Sequence, residues 1–98
     1  MILFIDTTDF DKVVFATEGK KMIRRTYKID AHKAYETLVR LDEFLKSAKI
    51  KLSDIKKIVA NKGPGSYTGV RVGVTHAQAL GFALNVPVKF LAKEKFSV

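Results

Sequence analysis

A glycine-rich segment holds the residues with the clearest capacity for chemistry. It runs from Gly63 to Gly73 and reads GPGSYTGVRVG. Glycine adopts backbone conformations closed to other residues, and Ser66 or Thr68 could cap the free N–H groups of a helix. Because a helix N-terminus attracts anions, the segment is a candidate phosphate site. Its candidate residues are Gly63, Pro64, Gly65, Ser66, Thr68, Gly69 and Arg71. A plain connection between a strand and a helix would use the same residues.

A second candidate phosphate turn follows the first apolar run of the chain. Asp6, Thr7 and Thr8 come directly after Ile2-Leu3-Phe4-Ile5. A carboxylate at the end of a strand can help to hold a metal and phosphates, and hydroxyl groups can donate to them. The turn contains no glycine that would let a phosphate approach the backbone. A turn capped by its own Asp side chain is therefore the alternative interpretation.

The remaining side chains argue against an enzyme. The chain has no cysteine, which excludes thiolate catalysis and disulfides. Its two histidines, His32 and His76, fall on different predicted helices and lack the His-x-x-x-His spacing of a zinc site. The glycine-rich segment has neither the lysine of a P-loop nor the spacing of a dinucleotide-binding motif. We therefore predict no catalytic residue and no bound metal.

Hydrophobic periodicity predicts five strands and two helices that position these residues. The strands are expected at 2–6, 12–17, 22–29, 58–60 and 88–91. The helices are expected at 31–48, with Asp30 as its cap, and at 67–84, ended by Asn85 and Pro87. The order βββαβαβ predicts three antiparallel strands followed by two right-handed crossovers. The fold class is therefore α/β, with a mixed five-stranded sheet and two helices in one domain.

Small residues recur every four positions along the second helix. Gly69, Gly73, Ala77 and Gly81 form one stripe on its surface. The stripe could let the helix sit close to its own sheet, or it could form a groove for a helix of another chain. If the groove interpretation holds, Gly73→Leu should block the partner and spare the fold.

The charge of the chain favours acidic partners. Its net charge is +8, and 47% of its residues are hydrophobic, so a folded and strongly basic domain is expected. Clustered Lys and Arg attract nucleic acid, although they also provide simple solubility. The apolar opening lacks the basic start of a signal peptide, and no run reaches the roughly 20 apolar residues of a membrane helix. A cytoplasmic protein with no membrane contact is expected.

The segment from Gly63 to Gly73 resembles the GPGSFTG signature of the TsaB (YeaZ) family, with Tyr67 where the family usually has Phe. The resemblance extends to the opening strand, to the turn at Asp6 and to His32, and covers nearly the whole chain. It implies a ribonuclease H-like half-domain of the actin-like ATPase superfamily. TsaB proteins usually carry a second half of related fold, so residues 1–98 correspond to the N-terminal half alone.

The resemblance also implies a function in tRNA N6-threonylcarbamoyladenosine modification. TsaB-like proteins are non-catalytic scaffolds that pair through two helices with the catalytic TsaD subunit, or with themselves as a homodimer. They lack the metal-binding histidine pair of their TsaD-type relatives. The contact residues predicted on this basis are Val39, Phe44, Gly69, Gly73, Ala77 and Gly81.

Further partners and two alternative functions follow from the same resemblance and from the charge. A TsaE-type ATPase is a further expected partner, and the basic surface could contact tRNA. No cofactor is expected on the chain alone, whereas ATP or ADP is expected at the junction with a partner. The alternatives are a vestigial actin-like phosphate or ATP-binding domain and a basic RNA-binding module.

Overall fold

The computed structural model describes residues 1–30 and 32–96 of the chain. Seven main elements follow one another in the predicted order βββαβαβ. The strands are β1 (Ile2–Asp6), β2 (Lys12–Glu18), β3 (Arg24–Lys28), β4 (Lys57–Asn61) and β5 (Val88–Leu91). The helices are α1 (Tyr35–Ser47) and α2 (Tyr67–Leu84). Neither helix combines the length and the apolar composition needed to cross a membrane, within the part of the chain that the structure describes.

The strands form one mixed sheet in the order β3-β2-β1-β4-β5. β1 pairs antiparallel with β2, and β2 antiparallel with β3, as hairpin connections require. β4 joins the other side of β1 in parallel, and β5 joins β4 in parallel, because each is reached through a helical crossover. The predicted fold class is confirmed.

Both helices pack on one face of this sheet. The main core joins alternate residues of the strands, such as Leu3 and Ile5, to Phe44 of α1 and Ala77 of α2. The rings of Phe15 and Phe44 are stacked with centroids 5.7 Å apart. The opposite face carries a smaller apolar cluster, in which Phe96 packs edge-on against Phe4. The central strands β1, β2 and β4 are therefore largely buried, whereas the edge strand β3 is mostly exposed.

The start of α1 differs from the prediction. The helix begins at Tyr35, after Ala34, which makes no side-chain capping bond. Asp30 is not its cap, because Asp30 Oδ1 accepts from the backbone N–H of His32 and so closes an earlier turn. The Glu36 carboxylate in turn accepts from the Asp30 N–H at 3.0 Å. Ala31, where the helix was predicted to begin, lies outside the described residues.

The predicted bounds of α2 are confirmed at both ends. Asn85 ends the helix in the left-handed conformation, with φ 55°, and its N–H is bonded to the last turn. Pro87 follows and cannot continue the helix. The alternation of Val70, Val72 and Val74, which is also typical of a strand, does not decide the structure of this segment.

Candidate functional site

The glycine-rich loop connects the end of β4 to the start of α2. Ser66 caps the helix, since its Oγ accepts from the Gly69 N–H at 3.2 Å. This confirms one of the two capping residues predicted; Thr68 instead lies within the first turn of α2. Gly63 has φ +95°, a left-handed conformation that favours glycine. The loop is thus a strand-to-helix turn with a well-formed cap.

Asn61 fixes the start of this loop, and sequence reasoning missed it. Its side chain is buried at the end of β4, and its Oδ1 accepts from the Gly63 N–H at 2.9 Å. The Gly63 carbonyl accepts in turn from the Lys93 N–H at 2.7 Å. An Asn that ends an apolar strand and stands two residues before a glycine is a recognisable signal for such a turn.

The turn at Asp6 is closed by its own carboxylate. Asp6 Oδ1 accepts from the Thr8 N–H at 2.9 Å and from the Thr8 hydroxyl at 2.7 Å. The structure therefore matches the alternative interpretation, a turn capped by its own Asp side chain, because these two donors already have a partner within the chain. A phosphate could contact them only after these bonds were broken.

The Asp6 turn and the glycine-rich loop lie against each other. The buried Thr7 hydroxyl donates to the Gly69 carbonyl at 2.6 Å, and the Ser66 N–H donates to the Thr8 carbonyl at 2.7 Å. A Cβ atom on Gly65 would lie 2.6 Å from the carbonyl oxygen of Thr8. The two candidate phosphate segments therefore pack directly against each other, and the surfaces that face each other are in close contact.

The small-residue stripe faces the sheet, so its prediction as a partner surface is wrong. Cβ atoms added to Gly69 and Gly73 would collide with Thr7, and one added to Gly81 would collide with the side chain of Val88. Ala77 is fully buried in the main core. Small residues at these positions let the backbone of α2 approach its own sheet closely.

The prediction also fails for Phe44, whose side chain is 0% exposed and packs in the core. A large apolar residue on the inner side of an amphipathic helix cannot reach a partner without unfolding. Val39 remains a prediction, because its side chain is 48% exposed on α1. It is the one predicted contact residue that a partner could reach.

A different set of apolar side chains points outward from the two helices. We call it the helical face, and its members are Tyr35, Leu38 and Val39 on α1 and Tyr67 and Phe82 on α2. Phe82 is 90% exposed. The Arg71 guanidinium lies over the Tyr67 ring, 5.3 Å from its centroid, and donates to the Tyr67 hydroxyl. Large apolar side chains left exposed on neighbouring helices make this face a candidate contact with another molecule.

His76 lines a shallow cleft of about 320 Å³ beside this face, together with Thr68, Arg71 and the end of the turn at Ala34. Its Nδ1 is buried and has no hydrogen-bond partner among the described residues. Burial lowers the pKa of the His76 imidazole below its usual 6.5. No group of three or more acidic, Cys or His side chains in residues 1–30 and 32–96 could hold a metal.

The lowered pKa of His76 predicts a dependence of stability on pH. The unfolded chain binds a proton near pH 6.5, whereas the folded chain resists it, so stability is lost as the pH falls below 6.5. We expect the drop in melting temperature between about pH 7 and about pH 5 to be smaller in His76→Gln than in the unaltered chain. Equal drops in the two proteins, followed by circular dichroism, would show that His76 does not contribute.

Comparisons with known proteins place these features in a family. Residues 29–92 match the sequence model of TsaD, tRNA N6-adenosine threonylcarbamoyltransferase. The TsaB tRNA threonylcarbamoyladenosine biosynthesis protein of Bacillus subtilis is 35% identical over 89% of this chain and 38% of its own length. YeaZ from Pseudomonas aeruginosa superposes with a TM-score of 0.77 at 30% identity, over 93% of this chain and 43% of that structure.

A more distant likeness confirms the fold alone. RuvC of Thermus thermophilus, solved with a Holliday junction substrate, superposes with a TM-score of 0.60 at 12% identity, over 95% of this chain and 64% of that one. The ribonuclease H-like fold is thereby confirmed. The chain spans less than half the length of the TsaB and YeaZ relatives that it matches.

Proposed function

Because the chain belongs to the family of TsaB (YeaZ) and TsaD proteins, we propose that it is a non-catalytic partner of a TsaD-type subunit in tRNA N6-threonylcarbamoyladenosine modification. The observation that carries this proposal is the helical face, which leaves large apolar side chains in water on two neighbouring helices. Burying one such side chain contributes about 1.5–3 kcal/mol, so a face of this kind favours association. The contact surface proposed here replaces the small-residue stripe.

The non-catalytic role rests on the chemistry of the side chains. Acyl transfer to an adenosine needs an activated nucleophile, a general base or a metal near the reacting atoms. The Asp6 carboxylate is engaged in its own turn, and His32 and His76 lie on different segments. In this proposal TsaD supplies the reactive groups, and the present chain supplies a docking surface.

ATP or ADP, in the same proposal, binds at the junction with a partner and is held mainly by the partner. Thr7, Thr8 and Ser66 already bond within the chain, which leaves the inner side of the glycine-rich loop little capacity for a phosphate. A TsaE-type ATPase would join the assembly once TsaD is docked. In the absence of TsaD, the helical face would pair with a second copy of the chain.

Light scattering after size-exclusion chromatography tests the proposal. The chain is measured alone and after mixing with the TsaD protein of its own source, and a defined mixed complex is expected. Calorimetry with ATP and magnesium on the chain alone is expected to show no binding. A folded chain that stays separate from TsaD over a range of salt and nucleotide concentrations would contradict the partner role.

A further inference from the structure

A cleft lined by lysines lies at the opposite end of the sheet from the glycine-rich loop. It forms where the hairpin between β2 and β3 meets the C-terminal end of α1 and the short helix Leu52–Asp54, and its volume is about 410 Å³. Lys20, Lys21, Lys49 and Lys56 line it. We call it the lysine cleft. It takes its lysines from three separate segments of the chain, so only the fold brings them together.

Backbone contacts hold the walls of this cleft in place. The Lys21 ammonium donates to the Ala48 carbonyl at 2.8 Å and so ties the hairpin to the C-terminal end of α1. A helix C-terminus favours a cation, which accounts for the position of Lys21. Lys49 turns the chain in the left-handed conformation, with φ 57°, and the Lys56 N–H donates to the Met1 carbonyl at 2.8 Å.

Three lysines of the cleft are available to bind an external anion, namely Lys20, Lys49 and Lys56. The ion pairs formed within residues 1–30 and 32–96 involve Lys12, Arg40 and Lys46, and none of these three lysines. Asp54 is the one acidic residue that lines the cleft in this part of the chain, and its Oδ2 accepts from the Lys51 backbone N–H at 3.0 Å. The cleft therefore sets four lysines against a single carboxylate and has an excess of positive charge.

The residues that line the cleft indicate which class of polyanion it would bind. Several ammonium groups around one concave surface suit closely spaced phosphates, whose counter-ions are released on binding. No aromatic side chain lines the cleft within the described residues, so a base would find no stacking partner. Contacts to phosphates position a nucleic acid without reading its bases. A free nucleotide offers only a short phosphate chain, and its base would find no stacking partner here, so it fits this lining less well.

We propose that the lysine cleft binds consecutive phosphates of an RNA backbone, independently of base sequence. This site differs from the proposed contact with TsaD, because none of the residues that line it belongs to the helical face and because it uses charge rather than apolar surface. RNA binding by the chain alone can therefore fail or succeed whatever the outcome of mixing with TsaD.

Fluorescence anisotropy with a labelled single-stranded RNA of about 12 nucleotides tests this proposal. We expect binding by the full chain that weakens steeply as salt rises. The variant Lys20→Gln/Lys49→Asn/Lys56→Gln should bind about 100-fold more weakly at about 0.1 M salt, and its salt slope should fall by about 2, because three phosphate contacts are lost. The Asn at position 49 tolerates the left-handed conformation there.

A control variant with the same change in charge separates a site from general attraction. Lys33→Gln/Lys89→Gln/Lys95→Gln removes three exposed lysines that do not line the cleft. Its affinity should fall by no more than about threefold, since salt screens charges beyond a Debye length. Equal losses in the two variants would overturn the proposal. Preference for magnesium ATP or for phosphatidylserine vesicles over RNA would overturn it as well.

A measurement on the unaltered chain tests the proposal without requiring that any variant folds. Lysines are acetylated with and without RNA, and the rate at each position is read by mass spectrometry. Protection at Lys20, Lys49 and Lys56, with little change at Lys33 and Lys89, is the expected result. Uniform protection, or no RNA binding at low salt by the folded chain, would contradict the proposal.

Discussion

Gly69→Ala should lower the melting temperature of the chain by about 4–24 °C. A Cβ atom at this position would collide with the backbone carbonyl of Thr7, and a backbone atom cannot move aside without shifting β1. Overpacking of this kind costs about 1–3 kcal/mol, and distortion of the bond from the Thr7 hydroxyl to Gly69 adds about 1 kcal/mol. The better helix propensity of alanine recovers about 1 kcal/mol. For a domain of this size each kcal/mol shifts the midpoint by about 4–8 °C.

Gln78→Ala is the matched control for this variant, because Gln78 is exposed on the same helix. Its melting temperature should change by less than about 3 °C, as for most surface substitutions. Thermal unfolding followed by circular dichroism measures both. If Gly69→Ala were as stable as Gln78→Ala, the close contact between α2 and the Asp6 turn would not be a requirement of the fold.

The close contact between α2 and the Asp6 turn can be tested directly at Gly73 and at Thr7, the residue that faces it. The atom that its added Cβ would meet is the Thr7 hydroxyl, which a second substitution can remove. Thr7→Ala should therefore recover part of the stability lost in Gly73→Ala, with a coupling energy of about 1–2 kcal/mol. Additive losses would contradict this assignment. Gly73→Leu, expected from the sequence to spare the fold, should now unfold it.

The sequence predicts most of the fold because its local signals agree. The order of elements, the bounds of α2 and the Ser66 cap follow from hydrophobic period, turn residues and capping chemistry, and all are confirmed. The start of α1 escapes prediction because the Asp30 side chain forms a turn with His32, which competes with a helix cap. Residue type alone does not decide which of these two local bonds the Asp30 side chain forms.

The candidate site is less predictable, because its main contacts join distant parts of the chain. The bond from the Thr7 hydroxyl to the Gly69 carbonyl spans 62 positions, and no local pattern indicates it. Periodicity shows that Gly69, Gly73 and Gly81 share one side of a helix, but not whether a sheet or a partner lies against that side. The outward position of Phe82 follows only once the stripe is placed on the sheet.

The helical face leads to the second large expected effect. Leu38→Glu/Phe82→Glu should weaken the complex with TsaD by about 100-fold or more and leave the melting temperature of the free chain nearly unchanged. Loss of one central apolar contact at an interface costs about 2–4 kcal/mol, and a buried unpaired carboxylate adds to this cost. Phe82 is 90% exposed and Leu38 47% exposed in the free chain, so the fold should depend little on them. Calorimetric titration with TsaD gives the affinity.

Met22→Glu provides the control, since Met22 is a large apolar side chain that is 79% exposed on the hairpin between β2 and β3. It adds one of the same charges outside the helical face, and it should leave the affinity for TsaD within about threefold, as expected for a residue outside an interface. Loss of binding in both variants would mean that added negative charge, rather than the helical face, governs the contact. Unchanged binding in Leu38→Glu/Phe82→Glu would place the TsaD contact elsewhere on the chain, because two carboxylates cannot be buried unpaired without a measurable loss of affinity.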